Sequence, residues 1–317
     1  MATTKEDYPY MGDPAEATAN LCKRFSRMPH PIFAVMDGAH FDDLQSEMGR
    51  KNIPCRSLFL GAGRETELNG PWLVSLPDED VENYVAGLAA ERPCSVFWSC
   101  PDGEDVLYRH LRSLNEVLIP KSALPEDVSK ASVIAAKDYA RVLFRHYDPN
   151  VLGGVVPSIN DAQFARFIGP AQEVVWYAPD YGGRRSAIKE DGLPDAPRGP
   201  LKLEEANIKE IERRRDEALR RWRVAYLKDC APTQSARKSD AELAQFVLDE
   251  ERKITAYGVQ GQDKIAMWTF MQITSPTDLN KQEVIRRVLS TKELKTTPDE
   301  RVGHLFDLRT HLLTGVP

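Results

Sequence analysis

Hydrophobic positions in the first 180 residues change period again and again. Short apolar runs predict buried strands at "IFAVMDG" (32–38), "SLFLG" (57–61), "PWLVSL" (71–76) and "CSVFWSC" (94–100), each bounded by Gly or Pro and rich in β-branched or aromatic residues. Helical spacing takes over between them. In 78–91, Val81, Tyr84, Val85 and Leu88 fall on one face, and Asp78 is placed to cap the first turn. After Gly103, Leu107, Leu111, Leu114 and Leu118 repeat the device. "YARVLFRHYDP" (139–149) predicts a strand with Val142, Phe144 and His146 on one face and Leu143, Arg145 and Tyr147 on the other. Asp148-Pro149 stops it, with Pro149 suited to a first helical turn and Asp148 to its N-cap. A helix over 161–169 capped by Asn160, then a last strand "EVVWYAP" (173–179), complete the pattern. It predicts an α/β (α+β) lobe over 31–185, a mixed sheet flanked by helices, behind an N-terminal extension of residues 1–30.

"YGGRRSAIKEDGLPDAPRGP" (181–200) is rich in Gly and Pro and has no apolar period, so a loop or linker over 186–200 divides the chain. Beyond it an all-α lobe is expected over 201–317. The stretch 201–229 carries Ile208, Ile211, Leu219, Trp222 and Tyr226 along a narrow apolar seam. Ser239 with Glu242 forms a capping box, and Gly258 ends that helix. Asn280 is placed to cap the segment holding Val284, Ile285, Val288 and Leu289, and Thr297-Pro298-Asp299-Glu300 opens the last helix. "IAMWTFMQI" (265–273) reads as a buried helix.

Composition narrows the classes. With 317 residues, 42% of them apolar, the chain can bury a sizeable core. It has no apolar run long enough to span a bilayer, and its first twenty residues lack the order of a signal peptide, so a soluble, cytoplasmic protein without membrane insertion is expected. Five cysteines (Cys22, Cys55, Cys94, Cys100, Cys230) without a C-x-x-C pair fit reduced thiols. Residues 1–185 hold 19 Lys and Arg against 26 Asp and Glu, and residues 186–317 hold 23 against 22, so no nucleic-acid partner is expected. The arginine-rich run 210–223, with Arg213, Arg214 and Arg215 at its centre, is interleaved with carboxylates.

Candidate chemistry is sparse. Asp37, His40, His146 and Asp148 could form an acid/base or metal site of a small hydrolase or a nucleotide- or metal-dependent enzyme, since α/β folds place ligands at strand ends. The strand pattern points His146 and Tyr147 to opposite faces and gives Asp148 a capping task, so an ion pair of Arg145 with Asp37 or Asp148 is the stronger reading. "GAGRETELNG" (61–70) has a lone G-x-G without a third glycine or a following Lys-Ser/Thr, which predicts no nucleotide loop. Cys94 and Cys100 flank a strand near His110 without the spacing of a nucleophile, and no G-x-S-x-G elbow occurs. No catalytic residue, cofactor or metal is predicted. Trp176, Trp222, Tyr226, Trp268 and Phe270 remain as candidates for a partner-binding face, because Trp, Tyr and Arg dominate binding hot spots.

The order of "FAVMDGAH", "RSLFLG", "GPWLVSL" and "VLFRHYDPNVL" over residues 31–180 resembles the adaptor, or effector-chaperone, family of the bacterial type VI secretion system, catalogued as domain of unknown function 4123. The segments that carry it are Asp37-Gly38-Ala39, Gly70-Pro71 and Arg145-x-Tyr147-Asp148-Pro149, with His146 where the family has an aromatic residue. The resemblance implies a non-enzymatic adaptor in the cytoplasm of a Gram-negative bacterium. It would hold a toxic effector, load it onto the VgrG-type spike protein without being secreted, and work with a co-chaperone as a further partner. An effector helix held between the lobes, with the charged helix 201–229 guiding orientation, is the mechanism expected.

Overall fold

The computed structural model describes residues 13–59, 61–124, 134–136, 138–291 and 296–314. They divide into two compact units, the first ending at Arg215 and the second beginning at Asp216.

A six-stranded antiparallel sheet in the order β2-β3-β1-β4-β8-β9 organises the first unit. Its strands are β1 (Ile32–Asp37), β2 (Cys55–Ser57), β3 (Pro71–Leu76), β4 (Ser95–Ser99), β8 (Glu173–Ala178) and β9 (Gly183–Ile188). Every residue of β1 is buried, which explains its unbroken apolar run: the sheet is covered on both faces. Phe33 and Val35 enter one core with Leu107 and Leu111 of α5 (Glu104–Arg112), Leu152 of α6 (Pro149–Val155) and Phe167 of α7 (Asp161–Ile168). Ile32, Ala34 and Met36 enter the other with Leu21 and Phe25 of α1 (Pro14–Phe25), Leu44 and Met48 of α2 (Leu44–Arg50), and Val85 and Ala89 of α4 (Glu79–Glu91). A second, mixed sheet runs β10-β5-β7-β6, from β5 (Glu116–Pro120), β6 (Ile134–Ala136), β7 (Tyr139–Leu143) and β10 (Leu201–Lys202), with β10 parallel to β5.

Local signals hold where a polar side chain caps a helix. Asp78 accepts from the Val81 amide, Asp148 from that of Asn150, and Asn160 and Gln163 close a reciprocal capping box. Nonlocal pairing overrides the rest. Leu114 and Leu118 do not extend α5, because Glu116–Pro120 pairs with β7. The strand expected over 57–61 lies at Cys55–Ser57, followed by a turn and α3 (Arg64–Leu68). The supposed linker starts within β9, an edge strand on β8. Leu201 and Leu203 then return to the first core, where Ile208 and Ile211 also pack, so 189–200 is a loop within the first unit. Residues 14–25 are likewise core helix, not an extension.

The second unit is helical. It takes in α8 (Glu205–Cys230) from Asp216 onward, then α9 (Pro232–Ser235), α10 (Asp240–Thr255), α11 (Gln262–Thr274), α12 (Glu283–Ser290) and α13 (Pro298–Thr314). The capping box of Ser239 and Glu242 opens α10 as expected. Asn280 does not cap α12; it lies in a single turn, Leu279–Lys281, capped by Asp278. Among the described residues no helix is long and apolar enough to cross a membrane.

Glu250 ties this unit together. Buried at 2% exposure, it accepts from Trp268 Nε1 at 3.1 Å and Asn280 Nδ2 at 3.0 Å, and from Lys253 Nζ at 2.6 Å. One carboxylate thus joins α10, α11 and the Leu279–Lys281 turn. Glu250→Ala leaves the Trp268 N–H buried without an acceptor and is expected to cost about 2–3 kcal/mol, whereas Glu250→Gln keeps an acceptor and costs about 1 kcal/mol. Thermal unfolding by circular dichroism checks the order; equal losses would mean that the hydrogen bonds contribute little.

Candidate functional site

The carboxyl end of β1 gathers a group of ionisable side chains, Asp37, His40, Arg145 and Asp148. Asp37, 1% exposed, accepts the Ala39 amide on Oδ1 at 3.1 Å and Arg145 Nη2 on Oδ2 at 2.9 Å. The same Arg145 nitrogen lies 3.4 Å from Asp148 Oδ2, while Asp148 Oδ1 caps α6 through the Asn150 amide at 2.9 Å. His40 Nε2 is 4.0 Å from Asp37 Oδ2. Arg145 therefore bridges two carboxylates that each also serve a helical turn.

Electrostatics follow from burial. The Asp148 carboxyl is pushed above its ordinary value by desolvation, which Arg145 beside it only partly reverses. Burial works against the Arg145 charge, but Asp148 and Asp37 outweigh it and hold its pKa above the usual value. For His40, burial dominates the attraction of Asp37 and Asp148 and lowers its pKa. Asp37 and Asp148 are both committed as acceptors here, with Arg145 closing the group.

Asp37, His40, Arg145 and Asp148 are brought together; His146 is not. Strand β7 ends at Leu143, and the backbone then turns tightly, His146 N donating to Phe144 O and Asp148 N to Arg145 O. His146 becomes fully buried, its Nε2 3.1 Å from Asn115 Oδ1 and its ring among Trp98, Phe144 and Tyr147. Tyr147, expected opposite Phe144 and His146 on an extended strand, is buried with them in the same core, because the turn breaks the alternation. The four-residue enzyme site drawn from the sequence thus loses its second imidazole. The two candidate cysteines offer no activated thiolate: Cys94 is fully buried and its thiol is pushed up to about 12 by desolvation, and burial raises Cys100 too. Gly61 and Gly63 precede α3, too short to form an anion site. Among the described residues no group of three or more His, Cys, Asp or Glu is arranged to hold a metal ion.

Burial of two imidazoles has a consequence for stability. Desolvation lowers the pKa of His146 to about 3 and that of His110, which meets Phe167 O at 2.9 Å, to about 4. Both stay neutral in the folded chain while their unfolded counterparts bind protons near 6.5. Folding stability is then fully present above pH 6.5 and falls as pH drops, by about 1.4 kcal/mol per unit for each group, until the folded values are reached. Unfolding free energies from urea titrations are expected to be level between pH 7.5 and pH 6.5 and to fall from pH 6.5 towards pH 5, and His146→Phe to remove that ring's share of the fall. A flat profile would mean that both rings are solvated.

The partner-face candidates separate by burial. Trp176, on β8, and Trp268, on α11, are core residues at 3% and 0% exposure, so they present no surface. Trp222 and Tyr226 are half-buried and stacked at 5.8 Å between ring centroids, and Phe270 joins them, 6.4 Å from Tyr226 and 6.0 Å from Phe306. Arg213 and Arg214 both engage Glu210, at 2.7 and 2.8 Å. Arg215 is exposed. Sequence reading missed Arg223, wholly buried on α8 with Nη1 3.0 Å from Glu251. Nothing local marks it among its arginine neighbours.

The three short motifs meet in space. Asp37 faces Pro71 across the β1–β3 pair, Gly38 N donates to Gly70 O at 2.9 Å, and Arg145 closes onto Asp37. No curated protein and no solved structure matches the chain. Residues 32–166, which contain all three motifs and the Asp37–Arg145–Asp148 group they build, match the family model described as domain of unknown function (DUF4123).

Proposed function

We propose that the protein is a non-enzymatic adaptor that binds a toxic effector of a bacterial type VI secretion system and helps load it onto the spike protein. The observation that carries the reading is the match of residues 32–166 to the DUF4123 model, together with the structural use of the charged residues inside it. Asp37, Arg145 and Asp148 hold strand β1 and helix α6 in place, which is the work expected of a binding scaffold. The bound effector is stabilised by mass action, which needs no chemistry. Arg213, Arg214 and Arg215 in the first unit steer the encounter through charge, an effect on association rate and specificity more than on affinity. Their replacement by glutamate is expected to slow association several-fold in surface plasmon resonance at low salt; an unchanged rate removes them from the interface.

The test is an affinity pull-down of the tagged full chain from its native host, under reducing conditions, with mass spectrometry of what is retained. Recovery of a large toxin or a spike protein supports the adaptor. Recovery of the chain alone, with the secretion genes expressed, overturns it.

A further inference from the structure

The second unit carries an apolar groove that its own described residues leave open. Met271 of α11, Leu279, Ile285 of α12 and Leu305 and Leu308 of α13 line a cavity of about 220 Å³ above the buried Trp268. Leu308, on the rim, is 62% exposed. Among the described residues it is one of four large apolar side chains left in solvent. An isolated exposed leucine needs no explanation, but one at the rim of a concave apolar surface marks an interaction site.

Its size and chemistry define the occupant. The cavity is smaller than the roughly 300–1,000 Å³ that encloses a drug-sized ligand, so it seats side chains. The lining elements are helices, whose backbone groups are bonded internally, so the groove offers no strand edge to an extended peptide; a helix laying its apolar face into it is the mode that fits. Among the residues lining the groove Arg309 alone is charged. It donates to Met271 O at 2.6 Å and Thr274 Oγ1 at 3.0 Å, at the end of α11, and among the described residues no carboxylate lies within ion-pairing distance of it. Carbonyl and hydroxyl dipoles offset only part of a half-buried guanidinium's charge, and burial accordingly lowers its pKa. A carboxylate is the group that completes it.

We propose that this groove seats an amphipathic helix of a partner protein, its apolar side chains at i, i+3 and i+4 filling the cavity and an Asp or Glu beside them pairing with Arg309. The inference rests on the adaptor reading and adds where the partner is gripped and by what chemistry.

The experiment pans a phage-displayed library of helical peptides, with a fixed leucine seam and randomised flanking positions, against the full chain. The consensus peptide is then measured by fluorescence anisotropy. Enrichment of an acidic residue beside the seam is expected, with at least tenfold weaker binding when that acid becomes lysine. Leu308→Glu, at an exposed position, is expected to weaken binding at least tenfold while its circular dichroism and melting stay unchanged. Arg309→Glu should reverse the preference, so that the lysine peptide binds more tightly. The proposal is overturned if no acid is enriched, or if Leu308→Glu binds like the wild type. It is also overturned if the wild type sediments as a dimer that Leu308→Glu dissolves, which assigns the groove to a second copy. A Leu308→Glu chain that still retains a toxin or spike protein from the host defeats the groove alone; a wild-type chain that retains none defeats the adaptor reading itself.

Discussion

Arg145→Met is expected to destabilise the first unit by about 3 kcal/mol. Removing one partner of a buried pair typically costs about 3–5 kcal/mol because the other charge is left uncompensated, and the lower end applies here because the Arg145 side chain is 47% exposed while Asp37 is 2% exposed. Asp37 keeps the Ala39 amide, so its cap survives but its charge is stranded. Asp148 loses the same partner at 3.4 Å. Asp37→Asn retains a capping oxygen without the charge, so the double variant Asp37→Asn/Arg145→Met is expected to recover most of the loss. Urea unfolding of the four chains gives the coupling energy directly. A loss below about 1 kcal/mol for Arg145→Met would place the pair with solvent-screened surface bridges and remove the structural role assigned to the motif.

The same cluster shows what a sequence can and cannot disclose. Asp148-Pro149 announced a helix start because a cap is satisfied within three residues, and the structure has that bond. The Arg145–Asp37 contact was open to inference from charge and strand ends, although it joins residues 108 positions apart. Tyr147 was placed on the wrong face for a different reason: alternation holds only while a strand continues, and β7 stops at Leu143. Strand β9 was hidden because its Gly- and Arg-rich composition suits a loop, and only the ladder with β8 makes it a strand. The helical unit repeats the point. Trp268 and Trp222 look equivalent in sequence, yet Glu250 and its partners bury the first while the second stays half exposed. Burial of an aromatic is decided by residues far along the chain, so a partner face cannot be drawn from aromatic content alone.

Gly38→Ala is expected to be as damaging as any single methyl group added to this protein. A Cβ at position 38 would lie 2.0 Å from Leu68 O and 2.7 Å from Gly70 O, and both neighbours are backbone atoms that no rotamer change can move. The glycine is required because the turn after β1 is laid directly on the segment entering β3, with Gly38 N donating to Gly70 O at 2.9 Å. Gly70 has the reciprocal constraint, its missing Cβ facing the Phe59 ring at 2.5 Å and Thr66 O at 2.8 Å. Two of the short motifs are therefore one contact, seen from its two sides. Relief requires the α3–β3 segment to shift, which strains the Asp37–Pro71 end of the ladder, so a loss of about 3 kcal/mol or more is expected. Gly49, inside α2, provides the control. Nothing lies within 4 Å of a Cβ there, so Gly49→Ala is expected to stabilise by about 0.5–1 kcal/mol through helix propensity. Urea midpoints for the two alanine variants should move in opposite directions; if they move together, the close backbone approach at Gly38 is not what the motif encodes.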